Sequence, residues 1–156
     1  MQYRSVLITG GTGFLGHGLV RRLLAENMAD RICIYSRDEY KQAKMRVEFG
    51  DDPRLRFFIG DVRDVCRLAI ACRDVDLVIH TAALKRVEVA EYNPTEMVQT
   101  NVVGSMNVIQ AATADFLSIL NKRDKSLPGY SYKLHPGTYG MDVVTSEKLE
   151  ADESEM

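Results

Sequence analysis

The 156-residue chain predicts an α/β fold, a doubly wound parallel sheet with helices on both faces and strands in the order 3-2-1-4. Three observations predict it. Four short runs rich in Val, Ile, Leu and Phe recur, and each is followed by a helical pattern. The runs are continuously apolar rather than alternating, as burial on both faces of a parallel sheet requires. A glycine-rich turn joins the first run directly to the first helical pattern, and right-handed crossovers then set the strand order.

The first strand is expected at Ser5–Thr9, and the turn after it reads Thr9-Gly10-Gly11-Thr12-Gly13-Phe14-Leu15-Gly16. Glycines there let the chain bend tightly and bring its backbone up to a pyrophosphate at a helix N-terminus, where unpaired N–H groups and the dipole favour an anion. The helix after the turn places Leu15, Leu19, Leu23, Val20 and Leu24 on one side. Strands two to four are expected at Arg31–Tyr35, Leu55–Ile59 and Asp76–His80. The last clear helix opens at Asn93-Pro94-Thr95-Glu96, with Asn93 as N-cap, proline at the first helical position and a buried stripe of Val98, Val102, Val103, Met106 and Ile109. After Ala112 the pattern fades. Asn121–Ser126 reads as a charged loop, Pro128, Gly129, Pro136, Gly137 and Gly140 punctuate the segment beyond it, and Glu147–Met156 reads as a frayed acidic end. Residues 1–112 are thus a dinucleotide-binding half and 113–156 an irregular tail.

A chain with 46% apolar residues and net charge −2 is expected to be a globular protein with no basic surplus for nucleic acid. No apolar run approaches the length of a membrane span and no secretion signal opens the chain, so a cytoplasmic location without membrane contact is expected. Cys33, Cys66 and Cys72 lack paired metal-ligand spacing and read as small core or surface residues, so no metal site is expected.

Strand two runs into Tyr35-Ser36-Arg37-Asp38, and Ser36 stands twenty positions after Gly16, where an acidic residue would accept the ribose hydroxyls of NAD. Here the position holds a hydroxyl beside a guanidinium. Arg37 can pair with a 2′-phosphate and Lys41 lies one helical turn on, so NADP is favoured over NAD, while Asp38 leaves NAD open. Strand three runs into Gly60-Asp61-Val62-Arg63-Asp64, where Asp61 can meet the adenine amino group and either Asp61 or Asp64 can cap the next helix. Strand four ends in His80-Thr81-Ala82-Ala83, whose small residues admit a cofactor. His80 reads as a packed strand-end histidine.

Together, Thr9-Gly10-x-x-Gly13-x-x-Gly16, Gly60-Asp61-Val62-Arg63-Asp64, His80-Thr81-Ala82-Ala83-Leu84-Lys85 and Thr100-Asn101-Val102-x-Gly104 resemble the extended short-chain dehydrogenase/reductases with their Rossmann-like fold. Tyr35-Ser36-Arg37-Asp38-Glu39 and the stretch from Ala82 to Pro94 look most like the polysaccharide-biosynthesis branch, the NADP-dependent UDP-N-acetylglucosamine 4,6-dehydratases. The resemblance covers about residues 4 to 112. It implies a reaction in which hydride leaves C4 of a nucleotide sugar for the cofactor, water is lost across C5 and C6, and hydride returns at C6. By the same resemblance Gly10, Thr12, Gly13, Phe14, Leu15 and Gly16 surround the pyrophosphate, and Ser36, Arg37 and Lys41 take the 2′-phosphate. Asp61 and Val62 take the adenine, Ala82 and Ala83 line the nicotinamide side, Lys85 faces the substrate, and Asn101 orders the active site.

The branch carries its acid–base pair as Tyr-x-x-x-Lys on a helix after a fifth strand. No such helix is legible. Tyr40-Lys41-Gln42-Ala43-Lys44 follows strand two and Tyr130-Ser131-Tyr132-Lys133 has the wrong spacing, so both read as structural and no catalytic residue is assigned. The fold is therefore expected to be incomplete relative to the family's, with the tail a remnant of the family C-terminus or unrelated to it. Strand four would be an edge, covered by a tail strand near Tyr130–Leu134 or Asp142–Thr145 or by a second copy of the chain. Two classes of function stay open: an NADP-binding nucleotide-sugar 4,6-dehydratase-like or 4-epimerase-like enzyme, and a non-catalytic dinucleotide-binding module. A homo-oligomer built through a sheet edge or helix face is expected in either case.

Overall fold

The computed structural model describes residues 2–123, 130–135 and 143–148, with side chains through residue 114. The chain divides into two compact units, Met1–Phe116 and Leu117–Met156. In the first, β1 (Tyr3–Thr9), β2 (Ala29–Ser36), β3 (Leu55–Ile59) and β4 (Leu77–His80) form a parallel sheet in the order β3-β2-β1-β4. The expected strands and their order are borne out.

Successive side chains of β1 and β2 point to opposite faces, so each strand feeds two cores. Val6, Ile8, Ile32 and Ile34 pack with Val20 and Leu23 of α1 (Phe14–Ala25) and Met45 of α2 (Glu39–Glu48). Leu7, Cys33 and Tyr35 pack on the other face with Leu68 and Ala71 of α3 (Val65–Ala71) and with Val108 and Ala111. Val6, Leu7, Ile8, Ile32 and Ile34 have no exposed surface, which is why these runs carry no polar alternation. Cys33 and Cys72 are buried in this core and Cys66 is exposed. Leu15 departs from the expected α1 stripe: it lies in the first turn of α1 and is 60% exposed, and the buried face begins at Gly16 and continues through Val20 and Leu23.

The last helical region differs most from expectation. After the short α4 (Val87–Tyr92), α5 (Pro94–Val98) runs through a π turn at Gln99–Val103 into α6 (Gly104–Arg123). Proline holds the first position as expected, but the Asn93 side chain makes no capping bond. The buried face is Thr100, Gly104, Val108 and Ala111, and Val98, Val102, Met106 and Ile109 are exposed. Close approach selected that face: a Cβ on Gly104 would lie 2.6 Å from Val62 Cγ2, so the helix seats through its small residues and its larger apolar ones turn outward. The helix also continues through Arg123 rather than fading after Ala112, since Ala114–Arg123 contains no Gly or Pro to stop it.

In the second unit, β5 (Tyr130–His135) and β6 (Val143–Lys148) pair antiparallel as a sheet of their own. Both tail strands form, but neither extends the parallel sheet, in which β4 is the last strand. Glu147 and Lys148 belong to β6. The turn residues 128, 129 and 136–140, the end of the charged stretch at 124–126 and residues 149–156 lie outside the described residues.

At the amino-terminal end of the sheet, Asp76 stands in for a strand partner. Its carboxylate accepts from the backbone N–H of Arg4 (2.7 Å) and Ser5 (3.1 Å) and from the Arg4 guanidinium (3.0 Å). Burial raises its pKa, but these donors outweigh burial and hold the carboxyl below its ordinary range. Asp76→Ala is expected to cost about 1–3 kcal/mol by leaving two backbone N–H groups unpaired, measured by urea denaturation. Because the folded pKa is depressed, the Asp76 contribution is complete above the unfolded value and is lost as pH falls through the folded one. The difference between wild type and Asp76→Ala should therefore shrink under acid and stay constant near neutrality.

Candidate functional site

A cleft of about 240 Å³ opens where the carboxyl ends of all four strands meet, the position at which ligands collect in doubly wound sheets. Gly10, Thr12 and Gly13 form its floor, Ser36, Arg37, Asp38 and Lys41 one wall, Gly60, Asp61 and Val62 the next, and Ala82, Ala83 and Thr100 the last. Ten of the residues assigned from sequence thus converge: Gly10, Thr12, Gly13, Ser36, Arg37, Lys41, Asp61, Val62, Ala82 and Ala83.

The glycine turn is built for close approach. Gly10 adopts φ +67°, and a Cβ there would meet the Ala82 backbone nitrogen at 2.7 Å, so the turn fits beneath the end of β4 only without a side chain. At Gly16 a Cβ would run into the Gly11 backbone, which seats α1 directly on the turn. Gly13, by contrast, has φ −79° and would crowd only the Gly10 carbonyl, at 3.1 Å. Gly13 is also the N-cap of α1, with no side-chain capping bond and no acidic residue in the first turn. The positive end of the helix therefore faces the cleft with its N–H groups uncovered, and these residues fit a dinucleotide diphosphate.

On the strand-two wall Asp38 caps α2, accepting from Lys41 N at 3.0 Å, and its carboxylate also sits 3.5 Å from Lys41 Nζ. The Lys41 backbone bond lowers the Asp38 pKa. Ser36 Oγ accepts from Gln42 Nε2 at 2.9 Å, and the same amide donates to Ser36 O and Phe58 O. Gln42 ties the ends of β2 and β3 together and was missed from sequence, because a lone glutamine in a helix carries no pattern.

Asp61 holds Arg63 through three bonds of 2.7–3.0 Å and lies 3.6 Å from Arg37 Nη1. Burial raises the Asp61 pKa, and the Arg63 bonds and Arg37 outweigh it, so the group is a firm carboxylate. Asp64, not Asp61, caps α3, accepting from Arg67 N at 2.9 Å, which leaves Asp61 to the cleft. Tyr35 lies beneath, its hydroxyl donating to Asp61 O at 2.8 Å.

The remaining assigned residues stand apart from the lining. Phe14 is 96% exposed and Leu15 60%, so these two can serve a ligand only through the backbone of the first helical turn. Gly16 packs behind the turn. Lys85 is exposed beyond Ala83. Asn101 does not line the cleft: its Oδ1 accepts from Leu84 N at 2.8 Å and its Nδ2 donates to Leu84 O at 2.7 Å, clamping the segment after β4 as a strand partner would. Tyr35, Gly60, Thr81 and Thr100 complete the lining without having been assigned to a cofactor site, together with Asp38, the residue that left NAD open.

His80 is a structural tie. Ser105 Oγ donates to Asn101 O at 2.6 Å, so His80 Nε2 carries the hydrogen toward Ser105 (3.1 Å) and Nδ1 accepts from Thr9 Oγ1 (2.6 Å). Burial lowers its pKa, which keeps the ring in the neutral form this chain of bonds requires. Of the two Tyr-Lys spacings, Tyr40 and Lys44 lie on the outside of α2, with Tyr40 65% exposed and Lys44 Nζ 4.5 Å from its ring centroid. Tyr130–Lys133 falls within β5.

Comparison with known proteins agrees with this geometry. The chain is 53% identical over 108 residues to the UDP-N-acetylglucosamine 4,6-dehydratase (inverting) of Campylobacter jejuni subsp. jejuni serotype O:2, a match covering 69% of this chain and 32% of that protein. It is 38% identical over 151 residues to the UDP-glucose 4-epimerase of Rickettsia bellii (strain OSU 85-389), covering 94% of this chain and 42% of the relative. Among solved structures, dTDP-glucose 4,6-dehydratase DesIV from Streptomyces venezuelae, with NAD and TYD bound, matches with a TM-score of 0.64 and 33% identity over 72% of this chain and 36% of that one. The chain thus spans between about a third and two-fifths of the length of these relatives. The family model for polysaccharide biosynthesis proteins matches residues 6–119, the stretch that builds the sheet and its cleft, and the chain belongs to that family of nucleotide-sugar dehydratases and epimerases.

Proposed function

We propose that this chain is the nicotinamide-dinucleotide-binding part of a nucleotide-sugar 4,6-dehydratase-like protein and that it takes NADP in preference to NAD. The observation that carries this reading is the convergence, in one cleft, of an uncapped helix start and two cations flanking a hydroxyl. In this reading the first turn of α1 holds the diphosphate. Arg37 and Lys41 exchange their contacts with Asp61 and Asp38 for a 2′-phosphate, and Asp61 accepts from the adenine amino group. The bound dinucleotide would supply a hydride acceptor and donor. Ala82 and Ala83 leave room for its reactive ring, Asn101 fixes the backbone beyond them, and Lys85 stands on the side open to a UDP-sugar resembling UDP-N-acetylglucosamine. A UDP-glucose 4-epimerase-like activity is the close enzymatic alternative, supported by the Rickettsia relative.

A second reading, a dinucleotide-binding module without its own turnover, is favoured by the position of Tyr40 and Lys44 on the outer surface of α2, away from the cleft lining. Incubation of the NADP-loaded protein with UDP-N-acetylglucosamine separates the two. A 4-keto product that disappears with Lys85→Ala supports the enzyme, and binding without product supports the module. Self-association through the β4 edge or the Val98–Ile109 helix face, and a cytoplasmic setting where such cofactors and activated sugars are found, belong to the same proposal. Among the described residues no helix is long and apolar enough to cross a membrane.

Two variants test the binding mode. Gly13→Ala should lower the melting temperature of the free protein only modestly, since its φ is ordinary and the cost is a 3.1 Å approach to the Gly10 carbonyl and a poorer N-cap, yet weaken NADP at least about tenfold by filling the approach to the diphosphate. Titration calorimetry beside a thermal scan reads both. Arg37→Ala should weaken NADP by roughly tenfold or more, the worth of a charge-assisted bond to phosphate, and leave NAD within about twofold. Equal loss for the two coenzymes would remove the 2′-phosphate assignment.

A further inference from the structure

A second hollow, of about 490 Å³, lies along β3, the outer strand of the sheet, and shares no residue with the cleft. Three guanidinium-bearing residues line it, Arg31, Arg46 and Arg56, around Cys33, Leu55 and Phe57. Cys33 pairs in register with Arg56 and Arg31 stands two residues before it, so Arg31 and Arg56 rise from one face of the sheet beside the same thiol. Burial pushes the Cys33 pKa up and both arginines pull it down, so the two charges bear on one point. Neutral oxygens hold them in place. Arg31 donates from Nε to Ser5 Oγ at 2.8 Å and from Nη2 to the carbonyls of Arg73 and Asp74, and Arg56 donates from Nη1 to those of Pro53 and Leu55. Among the described residues, Arg31 Nη1 and Arg56 Nε and Nη2 make no hydrogen bond. The carboxylates of the loop before β3 do not cancel these charges: Asp52 is held by Arg54 through three bonds of 2.7–3.0 Å, and Asp51 stands 3.7 Å from Arg46 in an exposed pair that is weak in water.

We propose that this hollow is a second anion site, for a small phosphate-bearing ligand whose oxyanion bridges Arg31 and Arg56, with Arg46 free to leave Asp51 and join them. It lies outside the cofactor cleft and does not depend on the dinucleotide reading. Guanidinium forks match phosphate geometry, and two that are already pinned by neutral oxygens lose little freedom on binding. Without an anion between them they only repel each other. The volume is that of a small-molecule site. An acidic strand paired along β3 is the less favoured occupant. Ile32 N–H donates to Arg54 O, so alternation turns the carbonyls of Leu55, Phe57 and Ile59 to the outer edge. Arg56 already occupies the first of these at 2.8 Å and Arg67 Nε the last at 3.0 Å, so an incoming strand would have to break both bonds.

Amide NMR spectra of the full chain are followed while inorganic phosphate, ribose 5-phosphate and a hexaglutamate peptide are added, with and without saturating NADP. Both phosphates should shift the amides of Arg31, Cys33 and Arg56 saturably, whether or not the cleft is filled. A tighter ester or a tighter free ion names the source of the phosphate, and either order supports the site. Arg56→Gln should weaken both at least about tenfold, the worth of a charge-assisted bond, and Arg46→Gln, a change at an exposed position of α2, should weaken them about threefold. Arg37→Ala, on the cleft wall, should leave them within about twofold. No saturable shift by about 10 mM phosphate overturns the proposal and leaves the arginines as guards of the strand edge. Binding that survives both Arg56→Gln and Arg46→Gln overturns it as well, as does a hexaglutamate that binds more tightly than either phosphate. Wild-type protein that takes phosphate here but not NADP would refute the cofactor reading alone.

Discussion

The cleft depends on how closely the ends of β1 and β4 approach one another. The turn at Gly10 passes under Ala82 at a distance no side chain permits, and Thr81 locks the approach from above, its hydroxyl donating to Thr9 O at 2.7 Å. His80 joins the same seam to Thr9 on one side and Ser105 on the other. With the strand ends held this tightly, α1 starts at the cleft instead of beside it, and the turn that leads into it lines the cleft. The cofactor reading therefore follows from a packing constraint first and from electrostatics second.

The charges around the cleft are balanced before any ligand arrives. Arg37 leans toward Asp61, Lys41 toward Asp38, and Arg63 bridges Asp61 and Glu96 at 2.6 Å. Arg37 and Lys41 are over half exposed, so both pairs are held weakly in water and can be exchanged for a phosphate at little cost. Arg63 is different. Its three bonds to Asp61 orient the carboxylate, so that side of the cleft is preset while the Ser36–Lys41 side can adjust.

Most of the sheet was legible in the sequence because strands buried on both faces must be apolar throughout, and only a parallel sheet produces four such runs interleaved with helices. The turn was legible because closeness demands glycine at fixed spacing. The features that stayed hidden had a physical cause in each case. The seating face of the π turn and α6 is made of Thr100, Gly104, Val108 and Ala111, and its Thr, Gly and Ala carry less hydrophobic signal than the outward-facing Val98, Val102, Met106 and Ile109. Gln42 and Asn101 act through amide bonds to backbone, which no residue pattern announces. The π turn at Gln99–Val103 stayed hidden because it leaves no trace in periodicity over so short a span.

That π turn has a consequence for the whole helical rod. It accommodates one extra residue between Pro94–Val98 and Gly104–Arg123, so that Asn101, inside the turn, meets Leu84 while Gly104, just past it, meets Val62. Were the same residues wound throughout as a regular α-helix, one piece would turn against the other by about 100°. Gly104 would then swing away from Val62, or Asn101 from Leu84, but both could not stay. The segment works as a fixed gear between two alignments, and its length is constrained to the residue even where its side chains are not.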